Sequence, residues 1–449
     1  MVASTSLSEQ HAVVIGGSMA GLLAARVLLN HFGRVTVLER DRIPDQPRPR
    51  SGVPQSHHVH ILLTQGQRIL EQLFPGLEAE LEAAGAPQVN WTYDLRWFSI
   101  WGWSYQTSSD LNTHPCSRIL LEWLIHRRLE QYDHLKFLTS TQAIGLVMNA
   151  QNTIVTGVQI QTEQGLDTLK ADLVVDASGR NSALPKWLTQ LGYAAPTQTM
   201  INSFLGYSSR WYQIPEGWEA PWKVMLIHTK PPDHRRSAVL YPVEENRWVV
   251  TLAGVGHDYP PIDETDFLHF AQSLRSHEIY NAIQQAQPLS PIYSYRRTDN
   301  CWQHYEDLQR FPGHLVAIGD AVCAFNPVYA QGMTVAALGA QTLDQCLSLM
   351  VQKQKTSLQG FPSKFHKQLA KMLAVPWLLA TSEDLRWCTT VGSTTNWQTR
   401  LMHQYLDLVV RASLSRSYVS QTFWEVMHMV KPPKVLFDPR IFLPALGLG

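Results

Sequence analysis

His11-Ala-Val-Val-Ile-Gly-Gly-Ser-Met-Ala-Gly21-Leu-Leu-Ala-Ala-Arg-Val-Leu-Leu29, followed by Arg34-Val-Thr-Val-Leu-Glu39, is the stretch whose reading decides the fold. It is a short apolar strand, a glycine turn, an apolar helix and a second strand closed by an acid. A first βαβ unit of this kind holds a dinucleotide: N–H groups at the helix start face the pyrophosphate and the acid takes ribose hydroxyls. Gly16 permits the tight turn and Gly21 lets the helix pack closely on the strand. Ser18 stands where the middle glycine of G-x-G-x-x-G is usual, so the phosphates meet a slightly more crowded backbone. Glu39, with Arg40 beside it, lies near the offset expected of the ribose-binding acid, about 20 residues beyond the turn. Its carboxylate repels a 2′-phosphate, which favours FAD or NAD over NADP. This motif alone leaves FAD and NAD both open.

Composition narrows the class. The chain has 449 residues, 45% hydrophobic and only 16% charged, with 37 basic and 37 acidic side chains. Such a chain is a compact globular protein of two domains, or one large domain with insertions. No basic block alternates with aromatics, so no nucleic-acid partner is expected. Cys116, Cys301, Cys323, Cys346 and Cys388 are odd in number and well spaced in sequence. They suggest neither a disulfide framework nor a zinc site and fit a reducing cytoplasm. The polar Met1–Gln10 stretch lacks a basic residue, which argues against a signal peptide, and no apolar run is long enough for a transmembrane helix. The histidines of Ser56-His-His-Val-His60 lack metal-ligand spacing, so no metal is expected.

Along the chain, Ser117-Arg-Ile-Leu-Leu-Glu-Trp-Leu-Ile-His-Arg-Arg-Leu129 reads as a helix with serine at its N-cap. Residues 89–112 are aromatic and alternating, as in sheet. Residues 187–297 are dense in strand and turn signals, and 361–430 are mostly helical. The fold expected is α/β, a Rossmann-like FAD-binding domain of glutathione-reductase type with an inserted mixed β-sheet substrate domain and a C-terminal helical region. The parts are 10–90, 113–186 and 301–350 for the FAD-binding domain, 91–112 and 187–300 for the substrate sheet, and 360–449 for a helical cap.

A second stretch selects the cofactor. In His314-Leu-Val-Ala-Ile-Gly-Asp-Ala-Val-Cys-Ala-Phe-Asn-Pro-Val-Tyr-Ala-Gln-Gly-Met-Thr334 a strand delivers Gly319 and Asp320, Pro327 shapes a loop, and Gly332 and Met333 open a helix. A carboxylate at a strand end can accept hydrogen bonds from ribityl hydroxyls. A helix N-terminus beyond it can stabilise a reduced, anionic flavin. Here the chain resembles FAD-dependent monooxygenases of the aromatic-hydroxylase type, in the G-D-A pattern followed by P and G and in its distance from the first motif. Asp172-Leu-Val-Val-Asp-Ala-Ser-Gly-Arg-Asn-Ser182 matches the family's middle motif, with Ser178-Gly179 where Asp-Gly is usual. Arg118 matches the arginine that the family places near FAD.

Arg50-Ser-Gly-Val-Pro-Gln-Ser-His-His-Val-His-Ile-Leu62, Cys116-Ser-Arg118, Asn326-Pro-Val-Tyr-Ala-Gln-Gly-Met333 and Trp377-Leu-Leu-Ala-Thr-Ser-Glu-Asp384 resemble the squalene-epoxidase-like branch. Its bacterial members epoxidise polyenes on the way to polyethers. The resemblance implies FAD, O2 as oxidant, and transfer of one oxygen atom from a C4a-hydroperoxyflavin to a C=C bond of an apolar polyene or isoprenoid-like substrate. The flavin carries this chemistry, and the protein excludes water and orients the alkene. Trp101, Trp103, Tyr241 and Trp248, all in sheet-like segments, are expected to line the substrate pocket.

The missing acid at Ser178 leaves electron supply open between direct NAD(P)H use and a separate flavin reductase. The same branch leaves room for a peripheral membrane contact. Hydroxylation of an aromatic ring, reduction of an isoprenoid double bond, and flavin binding without turnover are the competing readings. A halogenase lacks support, because Trp211-Tyr-Gln-Ile-Pro215 only partly matches Trp-x-Trp-x-Ile-Pro and Trp101-Gly-Trp103 lacks the Ile-Pro.

Overall fold

A computed structural model describes residues 7–353 and 357–448; the expectations made for Met1 to Ser6 and for Gly449 lie outside them. Five parallel strands form the central sheet, in the order Leu315–Ala317, Leu173–Asp176, His11–Ile15, Arg34–Leu38, Leu135–Leu138. Their near-continuous Val, Leu and Ile runs suit strands buried on both faces, and His11–Ile15 is buried at every position. Helix Met19–Leu28 covers the sheet together with the long helix Gly332–Gln352.

A mixed sheet of seven strands stands beside it, in the order Tyr293–Tyr295, Gly206–Gln213, Arg247–Gly254, Arg236–Val243, Val224–Ile227, Leu95–Ser99, Gly102–Trp103. The strand Leu95–Ser99, remote in sequence, joins by parallel pairing with Val224–Ile227. This matches the expected α/β architecture: an FAD-binding parallel sheet, further sheets and C-terminal helices.

The large sheet has two differently covered faces. Tyr212, Met225, Leu240, Trp248, Val250 and Leu252 pack with helices Glu264–Gln272 and Glu278–Ile283. On the opposite face Trp97, Trp211, Tyr241 and Val249 pack with Tyr405, Val409 and Phe423 of the C-terminal helices Trp397–Ser413 and Ser417–Met427. That second face also meets the dinucleotide-binding half: Val59 and Ile61 pack against it and Trp211 donates its indole N–H to the His57 carbonyl at 2.9 Å. Among the described residues, no helix is long and apolar enough to cross a membrane.

Candidate functional site: a dinucleotide cradle and a facing cleft

The first motif folds as a cradle that only glycine can complete. Gly16 has φ +103°, and a Cβ there would lie 2.6 Å from the Ala177 carbonyl oxygen. A Cβ at Gly21 would lie 1.8 Å from the Gly16 oxygen, so the helix rests directly on the turn. Ser18 is the helix N-cap but does not cap it. Its hydroxyl instead bonds Glu122 at 2.9 Å and accepts from Arg118 at 2.7 Å. The first-turn N–H groups thus keep no side-chain acceptor of their own, which suits a diphosphate at that end.

Charge is concentrated here. Arg50 joins Glu39 at 2.8 Å and Glu122 at 2.5 Å, while Arg118 meets Glu122 at 2.8 Å. Burial opposes the charge on Arg50, but Glu122 and Glu39 outweigh it and raise the guanidinium's pKa. Burial likewise works against the Glu122 carboxylate, yet Arg118 and Arg50 hold it below its usual range. Glu39 also accepts the N–H groups of Gly17 at 2.9 Å and Asp41 at 3.0 Å, fixing its position beside the turn. Arg40 is exposed.

The second motif faces the cradle. Gly319, with φ +64°, opens a short turn that presents Asp320 at the end of strand Leu315–Ala317. Solvent reaches the Asp320 side chain, yet protein surrounds it closely enough to raise its pKa, against the pull of Arg180 and Arg118. Pro327, Val328 and Gly332 are exposed on the loop beyond, and a Cβ at Gly332 would meet nothing within 4 Å. Met333 is buried under the helix start. The glycine cradle, the uncapped helix start, two converging guanidinium groups and the open loop fit a bound FAD.

A cleft opposite is lined by Pro49, Arg50, Ser51, Pro54, His57, His58 and the edge strand Tyr293–Tyr295. His57 stacks on Tyr293 with ring centres 4.0 Å apart. His58 is buried, with Nδ1 2.8 Å from the Ser209 hydroxyl, itself 2.6 Å from Thr251. Burial lowers the His58 pKa to about 3, so the imidazole is neutral at physiological pH. In the middle motif, Asp176 accepts from the Ser178 and Ser182 hydroxyls at 2.5 Å each. Arg180 binds Asp299 at 3.0 Å and the Phe325 carbonyl at 2.9 Å, holding that motif onto the second one.

The four aromatic residues expected to line a substrate pocket are not brought together. Tyr241 lies on the face toward the dinucleotide half, whereas Trp248 and Trp103 pack on the other. The reason is strand alternation: Tyr241 pairs with Val249, so Trp248, one residue before, points oppositely. Trp101 is half exposed at a hairpin tip, its N–H donated to the Asp407 carbonyl at 2.8 Å. The rings that do converge on the cleft are His57, His58, Tyr293 and Tyr295. In the sequence these histidines stand as a weak metal set and as part of the Arg50–Leu62 resemblance, not as cleft-lining rings. A stretch of three histidines immediately after the Arg50 loop was the available signal. Among the described residues, His304, Glu306 and Asp307 alone are spaced to hold a cation, and both His304 nitrogens already engage Thr199 and Glu306.

Strand order, glycine turn and the Gly319–Met333 loop together define the fold of a flavin-dependent oxidoreductase. A family model described as "FAD binding domain" matches residues 9–359. The chain belongs to that family and is an FAD-dependent monooxygenase. Protein Rv3254 of Mycobacterium tuberculosis is 32% identical over 406 residues, 86% of this chain and 84% of that protein. Kynurenine 3-monooxygenase of Salinispora arenicola is 25% identical, covering 76% of this chain and 73% of its own length. The structure of the flavin-dependent brominase Bmp2 superposes with a TM-score of 0.67 at 13% identity, covering 93% of each chain, a likeness of fold alone.

Proposed function

We propose that this monooxygenase epoxidises a C=C bond of an apolar polyene or isoprenoid-like substrate. The observation that carries the reading is the sheet-side wall of the cleft, built from the rings of His57, His58, Tyr293 and Tyr295 with both imidazoles held toward their neutral form by burial. These rings offer an electron-rich, apolar chain an uncharged contact, and Arg50 of the same lining is already paired with Glu39 and Glu122. Reduced FAD, when bound, supplies activation of dioxygen for single-atom transfer. The chain's own residues do the rest. Gly16, Ser18 and Gly21 seat the dinucleotide, Glu39 with Arg40 beside it takes the adenosine ribose, and Arg118 neutralises the diphosphate. Gly319 and Asp320 hold the ribityl chain, while Pro327, Gly332 and Met333 shape the support of the ring. The squalene-epoxidase-like branch, a cytoplasmic location, and electrons from NAD(P)H directly or through a flavin reductase belong to the same reading.

Hydroxylation of an aromatic ring is the second reading. It is favoured by the similarity to kynurenine 3-monooxygenase and by a neutral imidazole, His58, in the cleft wall. Turnover with isotopically labelled dioxygen separates the two. The proposal expects a labelled epoxide from an apolar polyene. A labelled phenol from an aromatic acid, with polyenes untouched, transfers the assignment to the second reading.

A further inference from the structure

We propose that Asp384 is the positioning residue that fixes the Asn326–Gln331 loop against the flavin ring, resting on the assignment of that loop to FAD. Asp384 closes the helix Phe361–Asp384 and is 1% exposed. Its Oδ1 accepts from Ser203 at 2.8 Å, Tyr329 at 2.7 Å and Asn326 at 3.2 Å; its Oδ2 accepts from Asn300 at 2.5 Å. Asn300 in turn accepts the Asn326 N–H at 2.8 Å. One carboxylate therefore gathers the loop, the segment before the substrate sheet, the strand Asn300–His304 and the C-terminal helix.

The loop needs such a clamp. Asn326 starts its short turn by accepting the Val328 N–H, and Ala330 closes it at φ 57°, a left-handed conformation that alanine rarely adopts. Drawing Asn326 and Tyr329 inward leaves Pro327, Val328 and Gly332 exposed. All partners of the Asp384 side chain are neutral. A buried carboxyl without a cation is a costly way to fill a core, so a purely packing role accounts poorly for it.

The ionisable groups around Asp384 are Tyr329 on the loop, Glu383 and Arg386 on its own segment, Asp407 and His403 on helix Trp397–Ser413, and Asp299 with Arg180 beside Asn300. Arg386 is committed to Glu383 at 3.0 Å and Asp407 at 2.9 Å, and Arg180 to Asp299. Burial lifts the Asp384 carboxyl to about 6, against the hydrogen bonds from Tyr329, Ser203, Asn326 and Asn300. The sign follows. The folded chain keeps a proton that an unfolded aspartate releases near about 3.9, so Asp384's share of stability declines as pH rises from there through about 6. The ionised form accepts all four donors, whereas the protonated form must turn one away. FAD affinity therefore rises over the window in which this share of stability falls, and mere structural support would not produce that opposition.

The test is the FAD dissociation constant of the full chain, by flavin fluorescence, at about pH 5 and about pH 8 for wild type, D384N and Y329F, with melting temperatures alongside. Wild type should bind about tenfold tighter at the higher pH. D384N should bind weakly at both, without the step, and Y329F should be weakened while keeping it. Wild-type affinity in D384N, or a step that survives in it, overturns the proposal. Should D384N not fold, Y329F decides: weakened binding with unchanged melting supports the proposal, and unchanged binding overturns it. A wild-type chain that binds no FAD overturns the cofactor assignment as well, which separates the two failures.

Discussion

The glycine cradle and the seven-stranded sheet are built on different principles. In the cradle, backbone meets backbone: a Cβ at Gly21 would overlap the Gly16 oxygen, and one at Gly16 would press on Ala177. In the sheet, distant side chains set the surface, as where Trp97 stacks on Phe423 with ring centres 5.5 Å apart. The cradle is thus set by main-chain geometry that tolerates no side chain. The sheet is a surface that can be rebuilt by changing which aromatic faces which strand.

Substitutions can break this contrast, beginning where it is sharpest. Gly16→Val should yield no yellow protein and a chain destabilised beyond the roughly 1–3 kcal/mol of ordinary overpacking, since both its φ and its clash are with backbone. Chemical denaturation and flavin absorbance check this; a yellow, stable variant would show that the turn can relax. Asp320→Ala should leave cofactor-free melting unchanged, because the side chain is solvent-accessible, yet abolish the stabilisation that FAD confers. At a thousandfold excess over the dissociation constant that is about 4 kcal/mol, read as the loss of an FAD-induced rise in melting temperature.

Phe423→Ala tests the sheet instead. It should cost about 3 kcal/mol of stability through a cavity against Trp97, while bound FAD per folded chain stays at the wild-type level. Loss of FAD in step with stability would mean the two regions are one cooperative unit. Trp101→Ala should do least, roughly 1 kcal/mol or below, because half its surface is already wet and its one hydrogen bond is at a hairpin tip. A large loss of turnover in that variant would return Trp101 to the substrate path.

The same contrast explains what the sequence disclosed. The tight turns at Gly16, Gly21 and Gly319 were legible because close approach and positive φ leave room for glycine alone. The apolar runs likewise revealed the buried parallel strands. Trp103 and Trp248 were misplaced because composition does not reveal which face of a strand is covered, and one step in register reverses it. Asp384 stood in the sequence only as the end of the Trp377–Asp384 resemblance, and its contacts lay hidden for a different reason. It sits over 50 residues beyond Asn326, and nothing local marks a carboxyl whose four donors come from three separate segments.

Rapid mixing with oxygen tests the central claim most directly. The FAD-loaded chain, chemically reduced without air, is mixed with oxygenated buffer while flavin absorbance is followed. An absorbing species between the reduced and oxidised flavin, shortened by an apolar polyene that emerges one oxygen atom heavier, is the predicted result. Direct reoxidation in a single phase, unaltered by any alkene and with no oxygen in the product, would contradict it.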